Sequence, residues 1–314
     1  MSEFSWIETY FRPLAQAHPE SLQLQDDAAL LECPANTQLV ITTDMLHEGV
    51  HFLAGTTPHL IAQKALRCNL SDLAAMGAVA FGYTLALGLP RHTDAAWLAD
   101  FTAGLAADQQ TFGCGLLGGD TTATLGPLSI AITAYGHIPH GKAHRRTGAQ
   151  IGDDIYVSGP IGDAYIGLRM AKGELPADNA MIARYELPMP RLELGVRLQG
   201  LATACLDISD GLLQDMEHIC TASSCAAALD ASHIPLSPTA HQLMGAGHIH
   251  LPELLAGGDD YELLFTASPM SRLALDKIPG LTRIGTIRQG SGLTLYDAHG
   301  DILPINSKGY QHFK

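Results

Sequence analysis

The sequence predicts an α/β (α+β) protein of two domains, and three observations predict it. The chain has 314 residues, more than one hydrophobic core usually organises. Its β-rich runs are interleaved with helical patterns. A stretch from His140 to Asp154 is rich in Gly, His and Arg and poor in apolar residues. The boundary is placed there, giving an N-terminal domain over 1–148 and a C-terminal α+β domain over 149–314. Hydrophobic residues are 46% of the chain and charged residues 16%, a globular balance with no long disordered span.

The elements follow in order. Residues 5–17 read as an opening helix. Leu39-Val40-Ile41-Thr42-Thr43 is β-rich and ends at Asp44. Pro58 opens a helical pattern that runs to Met76 and stops at Gly77. Residues 79–89 read as a strand, 94–111 as a helix with Ala and Leu at helical spacing, and 128–135 as a strand. The second domain opens on the strand 154–158, and Gly159-Pro160-Ile161-Gly162 leads into a helix. Further helical patterns cover 191–202 and 210–222, with strands at 261–267, 281–288 and 293–297.

Charge removes one class of function. The formal net charge is −14, from 32 acidic and 18 basic residues, with no basic run. Nucleic-acid binding needs Lys and Arg to displace phosphate counterions, so no nucleic-acid partner is expected. The six cysteines include no C-x-x-C pair, which reads as free thiols in a reducing compartment. The first residues lack a basic start and an apolar signal core, and no apolar run is long enough to cross a bilayer. A cytoplasmic protein without a membrane partner is expected.

The chemical signal is a series of carboxylates at the ends of apolar runs. Asp26-Asp27 precedes Ala28-Ala29-Leu30-Leu31, and Thr42-Thr43-Asp44 closes a strand. Asn69 and Asp72 share a helix face at i, i+3 spacing. Gly118-Gly119-Asp120-Thr121-Thr122 and Asp207-Ile208-Ser209-Asp210-Gly211 each follow apolar pairs, and Gly257-Gly258-Asp259-Asp260-Tyr261-Glu262 precedes a strand. A lone Gly-Asp is most often a turn or a helix cap. The set together is what hard cations such as Mg²⁺ require. Bringing two phosphorylated substrates together concentrates negative charge, and each like pair at 4 Å costs roughly 4 kcal/mol at an effective dielectric near 20. The motifs hold few basic residues, so several Mg²⁺ ions are the expected neutralisers.

Other motifs fall away. Gly113-Cys114-Gly115-Leu116-Leu117-Gly118 satisfies G-x-G-x-x-G but follows a helical pattern, and no acid lies about 20 residues on to hold a ribose. His47 with His51 and His248 with His250 lack further zinc ligands at suitable spacing. A Walker A sequence and a G-x-S-x-G elbow are both absent.

These motifs, in this order, resemble the thiamine-monophosphate kinase family, within the superfamily of aminoimidazole ribotide synthetase and selenophosphate synthetase. The matching runs include Asp26-Asp27-Ala28-Ala29-Leu30, Val50-His51-Phe52, Lys64-Ala65-Leu66 and Asn69-Leu70-Ser71-Asp72-Leu73-Ala74-Ala75-Met76-Gly77. They continue through Gly118-Gly119-Asp120-Thr121-Thr122, Arg146-Thr147-Gly148-Ala149, Asp207-Ile208-Ser209-Asp210-Gly211-Leu212, Gly257-Gly258-Asp259-Asp260-Tyr261-Glu262-Leu263 and Lys308-Gly309-Tyr310. The resemblance implies a homodimer formed through the N-terminal sheet. It also implies ATP bound without a Walker loop in the cleft between domains. The metal ligands it implies are Asp26, Thr42, Thr43, Asp44, Asp72, Asp120, Asp207 and Asp210, with Asp72, Asp120 and Asp210 central to catalysis. ATP would be met by Gly119, Asp120, Arg146, Ser209 and Phe112, and thiamine monophosphate by His51, Asp259 and Tyr310. Two positions depart from the family: Gln25 stands where Gly is usual, which would hinder a left-handed turn, and Asp259 where Glu is usual.

The implied reaction is direct transfer of the γ-phosphoryl group of ATP to thiamine monophosphate. The nucleophile is an already ionised phosphate oxygen, so positioning and charge neutralisation carry the rate rather than a strong base. Two alternatives stay open at this level: an ATP-dependent ligase of the same superfamily, and a non-catalytic nucleotide- or thiamine-binding protein.

Overall fold

The computed structural model describes residues 3–305 and 309–310. The chain divides into two compact units: Met1–Leu73 with Ala78–Gly141, and Ala74–Gly77 with Lys142–Lys314.

In the first unit, α1 (Glu3–Trp6) passes through a π turn into α2 (Arg12–Ala15). A 3₁₀ segment, Pro19–Leu24, follows, in which Leu22, Gln23 and Leu24 are all left-handed. Gln25 itself sits at φ −107°, so the left-handed stretch falls just before the position where the sequence raised the concern. Then come β1 (Thr37–His47), α3 (Pro58–Met76), β2 (Val79–Pro90), α4 (Ala95–Phe112), β3 (Gly115–Thr124) and β4 (Ser129–Pro139). The sheet order is β1-β4-β2-β3. Only the β2–β3 pair is parallel, so the sheet is mixed. Along β1 the burial alternates: Leu46 is buried, while Leu39, Ile41 and Met45 are exposed on the opposite face. Leu66, Leu70 and Leu73 of α3 and Leu98, Phe101 and Leu105 of α4 are buried almost completely, and the Asp94 side chain caps α4 by accepting from the Trp97 N–H.

The second unit runs β5 (Asp154–Ser158), α5 (Asp163–Ala171), α6 (Asn179–Glu186), α7 (Leu192–Arg197), β6 (Ala202–Asp207), α8 (Leu212–Ser223) and β7 (Ala226–Asp230). It continues with α9 (Pro238–Gly245), α10 (Leu251–Ala256), β8 (Leu263–Ala267), α11 (Arg272–Leu275), β9 (Leu281–Arg288), β10 (Gly292–Tyr296) and β11 (Ile302–Leu303). The sheet order is β11-β10-β7-β9-β5-β8-β6. Every residue of β5 and β8 is buried, because both faces of the sheet are covered. Ile155 and Val157 join Leu206, Met216, Leu264 and Ile284 in one core. Tyr156, from the other face, stacks on Phe265 at 5.3 Å in a second core with Leu198 and Leu275.

Several elements differ from the expectation. β1 continues through Asp44 to His47. Gly118–Thr122, read as a loop, lies within β3, where Gly119 pairs with Leu85. The helical pattern at 191–202 stops at Arg197, and Ala202–Asp207 is a strand. All six cysteines are free, and only Cys33 is exposed.

Candidate active site

In the first unit the acids gather around β1 and α3. Because strand side chains alternate, Thr42 and Asp44 project to one face. On α3, Asn69 and Asp72 lie one turn apart and meet that face. The Asp44 N–H donates to Asn69 Oδ1 at 3.0 Å, and the Thr42 hydroxyl donates to an Asp72 carboxylate oxygen. Burial, reinforced by the charge of Asp72, pushes the Asp44 carboxyl up to about 6. Two acids held this close are electrostatically unfavourable, and a cation among them relieves it. Thr43 is not part of this group by its side chain. It points to the opposite face and its hydroxyl pairs with that of Thr133 at 2.8 Å.

Asp26, Asp27, Gly119 and Asp120 line a cavity of about 290 Å³ whose walls include Phe11, Leu85 and Leu116. Asp120, exposed on β3, accepts from the Thr121 N–H. His51 sits in the loop after β1, where its Nδ1 accepts the His47 N–H at 3.0 Å. That bond needs an Nδ1 without a proton. Phe112 ends α4 beneath the Arg67 guanidinium, 5.3 Å from the ring centre, and Arg67 in turn pairs with the buried Asp108.

In the second unit the site residues lie on two crossing loops. Asp207 ends β6, and Ser209 and Asp210 follow it. The Asp259 N–H donates to Ser209 O and the Tyr261 N–H to Ile208 O, at 2.9 and 2.8 Å. A Cβ at Gly258 would lie 2.3 Å from Ser209 O, so only glycine allows this crossing. Asp259 and Tyr261 are left-handed, with φ of 68° and 50°. Between them Asp260 turns inward and accepts from the Gly162 and Ala164 N–H groups, and burial pushes its carboxyl up to about 8. Glu262 is also internal, held by Ser158, Arg184 and Arg191.

Two residues that sequence reasoning did not single out organise the Asp207–Gly211 loop. Asp215 Oδ2 accepts the N–H groups of Ser209, Asp210 and Gly211, each at 3.1 Å. Gln214 Nε2 donates to Asp210 Oδ2 at 2.9 Å and to Tyr310 O at 3.0 Å. Their position in the first turn of the helix that follows the motif was the available signal, since a carboxylate there faces unpaired N–H groups. Arg146 lies on an exposed segment anchored by Ser223, whose hydroxyl donates to Arg146 O and accepts from the Gly148 and Ala149 N–H groups. Tyr310 is half exposed, and Lys308 lies outside the described residues.

Residues 25–138 match the family described as AIR synthase related protein, N-terminal domain. A thiamine-monophosphate kinase of Caulobacter vibrioides is 41% identical, over 96% of this chain and 89% of its own length. The crystal structure of thiamine-monophosphate kinase from Stenotrophomonas maltophilia superposes with a TM-score of 0.86 at 42% identity, covering 96% of this chain and 98% of that one. The structure of AaThiL complexed with AMPPCP and TMP matches with a TM-score of 0.81 at 28% identity, covering 99% and 97%.

Proposed function

The chain belongs to the thiamine-monophosphate kinase family, and from that premise we propose how its residues divide the work. The protein is an ATP-dependent kinase that converts thiamine monophosphate to thiamine diphosphate, releasing ADP. The observation that carries this is a full-length match to family members in a chain that also holds paired, partly buried acids on one face of its N-terminal sheet.

The donors present fit Mg²⁺. Asp44, Asp72 and the Thr42 hydroxyl form an all-oxygen set in which burial, and then the charge of Asp72, raises the Asp44 carboxyl, and hard cations take such ligands. We assign Asp26, Thr42, Asp44, Asp72 and Asp120 of the first unit to Mg²⁺, with Thr43 restricted to its main chain, and Asp207 and Asp210 of the second. Mg²⁺ supplies the neutralisation that lets phosphates approach one another. Asp72, Asp120 and Asp210 are assigned to the reacting phosphates by way of that charge. Gly119, Arg146, Ser209 and Phe112 serve ATP. His51, Asp259 and Tyr310 receive thiamine monophosphate. The attacking phosphate oxygen is ionised near neutral pH, so no side chain has to remove a proton; orientation and charge carry the transfer.

We further assign the exposed face of the N-terminal sheet, with Leu39, Ile41, Met45 and Val79, to contact with a second copy of the chain, and the protein to the cytoplasm, where five buried free thiols persist. Among the described residues no helix is long and apolar enough to cross a membrane. The decisive assay is purified protein with ATP, Mg²⁺ and thiamine monophosphate, its products separated by chromatography. Thiamine diphosphate and ADP in equal amounts are expected, lost in excess chelator and partly restored by Mn²⁺. No thiamine diphosphate under varied metal and salt refutes the reading.

A further inference from the structure

The side chain of Gln214 joins two residues to which the proposed function gives different tasks. Gln214 stands in the first turn of α8, four residues after Asp210, and its amide reaches back over the N-terminus of the helix. One Nε2 atom donates to Asp210 Oδ2 at 2.9 Å and to Tyr310 O at 3.0 Å. The Tyr310 N–H donates to Asp210 O at 3.0 Å. The C-terminal segment is thus fastened to Asp210 twice, once directly through main chain and once through Gln214. The approach is close: a Cβ at Gly309 would lie 2.5 Å from Asp210 O and 2.7 Å from the Gln214 Cβ. Asp215 fixes the backbone of the same loop, so Asp210 is held from below by its N–H and from the side by its carboxylate.

We propose that Gln214 is a positioning residue that ties Tyr310 to Asp210, so that cation binding at the Asp210 carboxylate and capture of the phosphorylated thiamine by the C-terminal segment strengthen each other. This rests on the assignment of Asp210 to the cation and Tyr310 to the substrate. The chemistry of the amide supports it. Both Nε2 protons are used, each on one of the two partners. The carboxylate keeps its remaining lone pairs for a cation and loses rotational freedom before the cation arrives. A cation that favours the same Asp210 orientation favours the docked segment, and reciprocity requires the docked segment to favour the cation. A Glu at 214 would lack both donors and add a charge beside Asp210. Gln214 touches neither substrate in this arrangement; it acts through the two residues it joins.

The test uses the full chain with four variants: Gln214→Met, which keeps the length and removes the donors, Gln214→Ala, Tyr310→Ala, and Gln214→Met with Tyr310→Ala. KM values for thiamine monophosphate and ATP are measured at saturating Mg²⁺. Thiamine monophosphate binding is also titrated calorimetrically at low and high Mg²⁺. For both Gln214 variants the KM for thiamine monophosphate rises about three- to tenfold, as expected for two lost hydrogen bonds, while KM for ATP and kcat stay within about twofold. The strengthening of thiamine monophosphate binding by Mg²⁺ shrinks, and the double variant is no worse than Tyr310→Ala alone. A merely structural Gln214 would lower the melting temperature and move both KM values together, and that result overturns the inference. If Tyr310→Ala raises the KM but the Gln214 variants do not, the tie fails and the assignment of Tyr310 stands. If Tyr310→Ala leaves the KM unchanged, the assignment of Tyr310 falls and takes the inference with it.

Discussion

Two groups of carboxylates, one in each unit, are treated in opposite ways. In the first, Asp44 and Asp72 are brought together, and burial, with the charge of Asp72 added, pushes the Asp44 carboxyl up. In the second, the buried acids are enclosed by donors: Asp215 by three N–H groups, Asp260 by two, Glu262 by two guanidiniums and a hydroxyl. An acid surrounded by donors is scaffold, because its charge is already spent on the chain. An acid set against another acid is available to a cation where donors do not already enclose it. Burial does not distinguish them, since it raises Asp44, Asp215 and Asp260 alike, and neither does a neighbouring acid, since Asp210 also raises Asp215; the three N–H groups that Asp215 accepts mark it as scaffold.

The largest expected effect tests the Asp44–Asp72 pair. Asp72→Asn keeps the shape and removes the charge, and turnover should fall at least about 100-fold, near 2.7 kcal/mol. Steady-state rates at limiting Mg²⁺ decide it, and near-normal turnover there sinks the role of Asp72. Removing a scaffold acid should instead unfold the loop it holds. Asp215→Ala strands three N–H groups and should cost about 2–3 kcal/mol of stability by urea denaturation; an unchanged midpoint would show that the clamp is idle.

Asp259 sharpens the contrast, as the acid that is not turned inward beside one that is. Asp259→Ala should lower kcat/KM for thiamine monophosphate by about 10- to 150-fold, the worth of one charge-assisted hydrogen bond, with KM for ATP nearly unchanged. If both substrates suffer equally and the protein melts earlier, Asp259 only shapes the turn.

The fourth expectation has the opposite sign to that for Asp215. The Asp44 carboxyl sits at about 6 in the folded protein, against roughly 3.9 in an unfolded chain. Folding therefore takes up a proton in that interval. The contribution to stability is full below about pH 4 and is lost as pH rises through 6. Above that, ionised Asp44 weakens the metal-free protein, so Asp44→Asn should stabilise it at pH 8 by on the order of 1–2 kcal/mol while activity falls. A destabilised, active variant contradicts the contrast outright. The smallest effect follows from the same group. Below about pH 6 a cation has to displace the Asp44 proton, so the apparent Kd for Mg²⁺ should rise about tenfold per pH unit there and level off above. Calorimetric titration that finds one Kd from pH 5 to pH 8 excludes it.

What the sequence made legible divides by mechanism. α3 was readable at both ends because Pro58 and Gly77 punctuate it. The shared face of Asn69 and Asp72 followed from helical spacing, whereas its meeting with Asp44 and Thr42 of β1 needed the tertiary fold. β3 was not readable: Gly118-Gly119-Asp120-Thr121-Thr122 has the composition of a turn, and only its pairing with β2 makes it a strand. The opposite orientations of Thr42 and Thr43 needed only the period of a strand, but reading Asp44 as the strand's end hid it. Asp215 and Gln214 were missed because their roles are hydrogen bonds to other residues' backbone, which leave no motif of their own.

β1 carries the residues assigned to the cation on one side and exposed apolar side chains on the other, with Thr42 and Asp44 facing inward and Leu39, Ile41 and Met45 outward. Ile41 shares a peptide bond with Thr42, and Met45 with Asp44. Evolutionary drift on that surface is therefore not free. A mutation on the outer face should be felt in turnover, and compensating changes should accumulate in pairs across the thickness of a single strand.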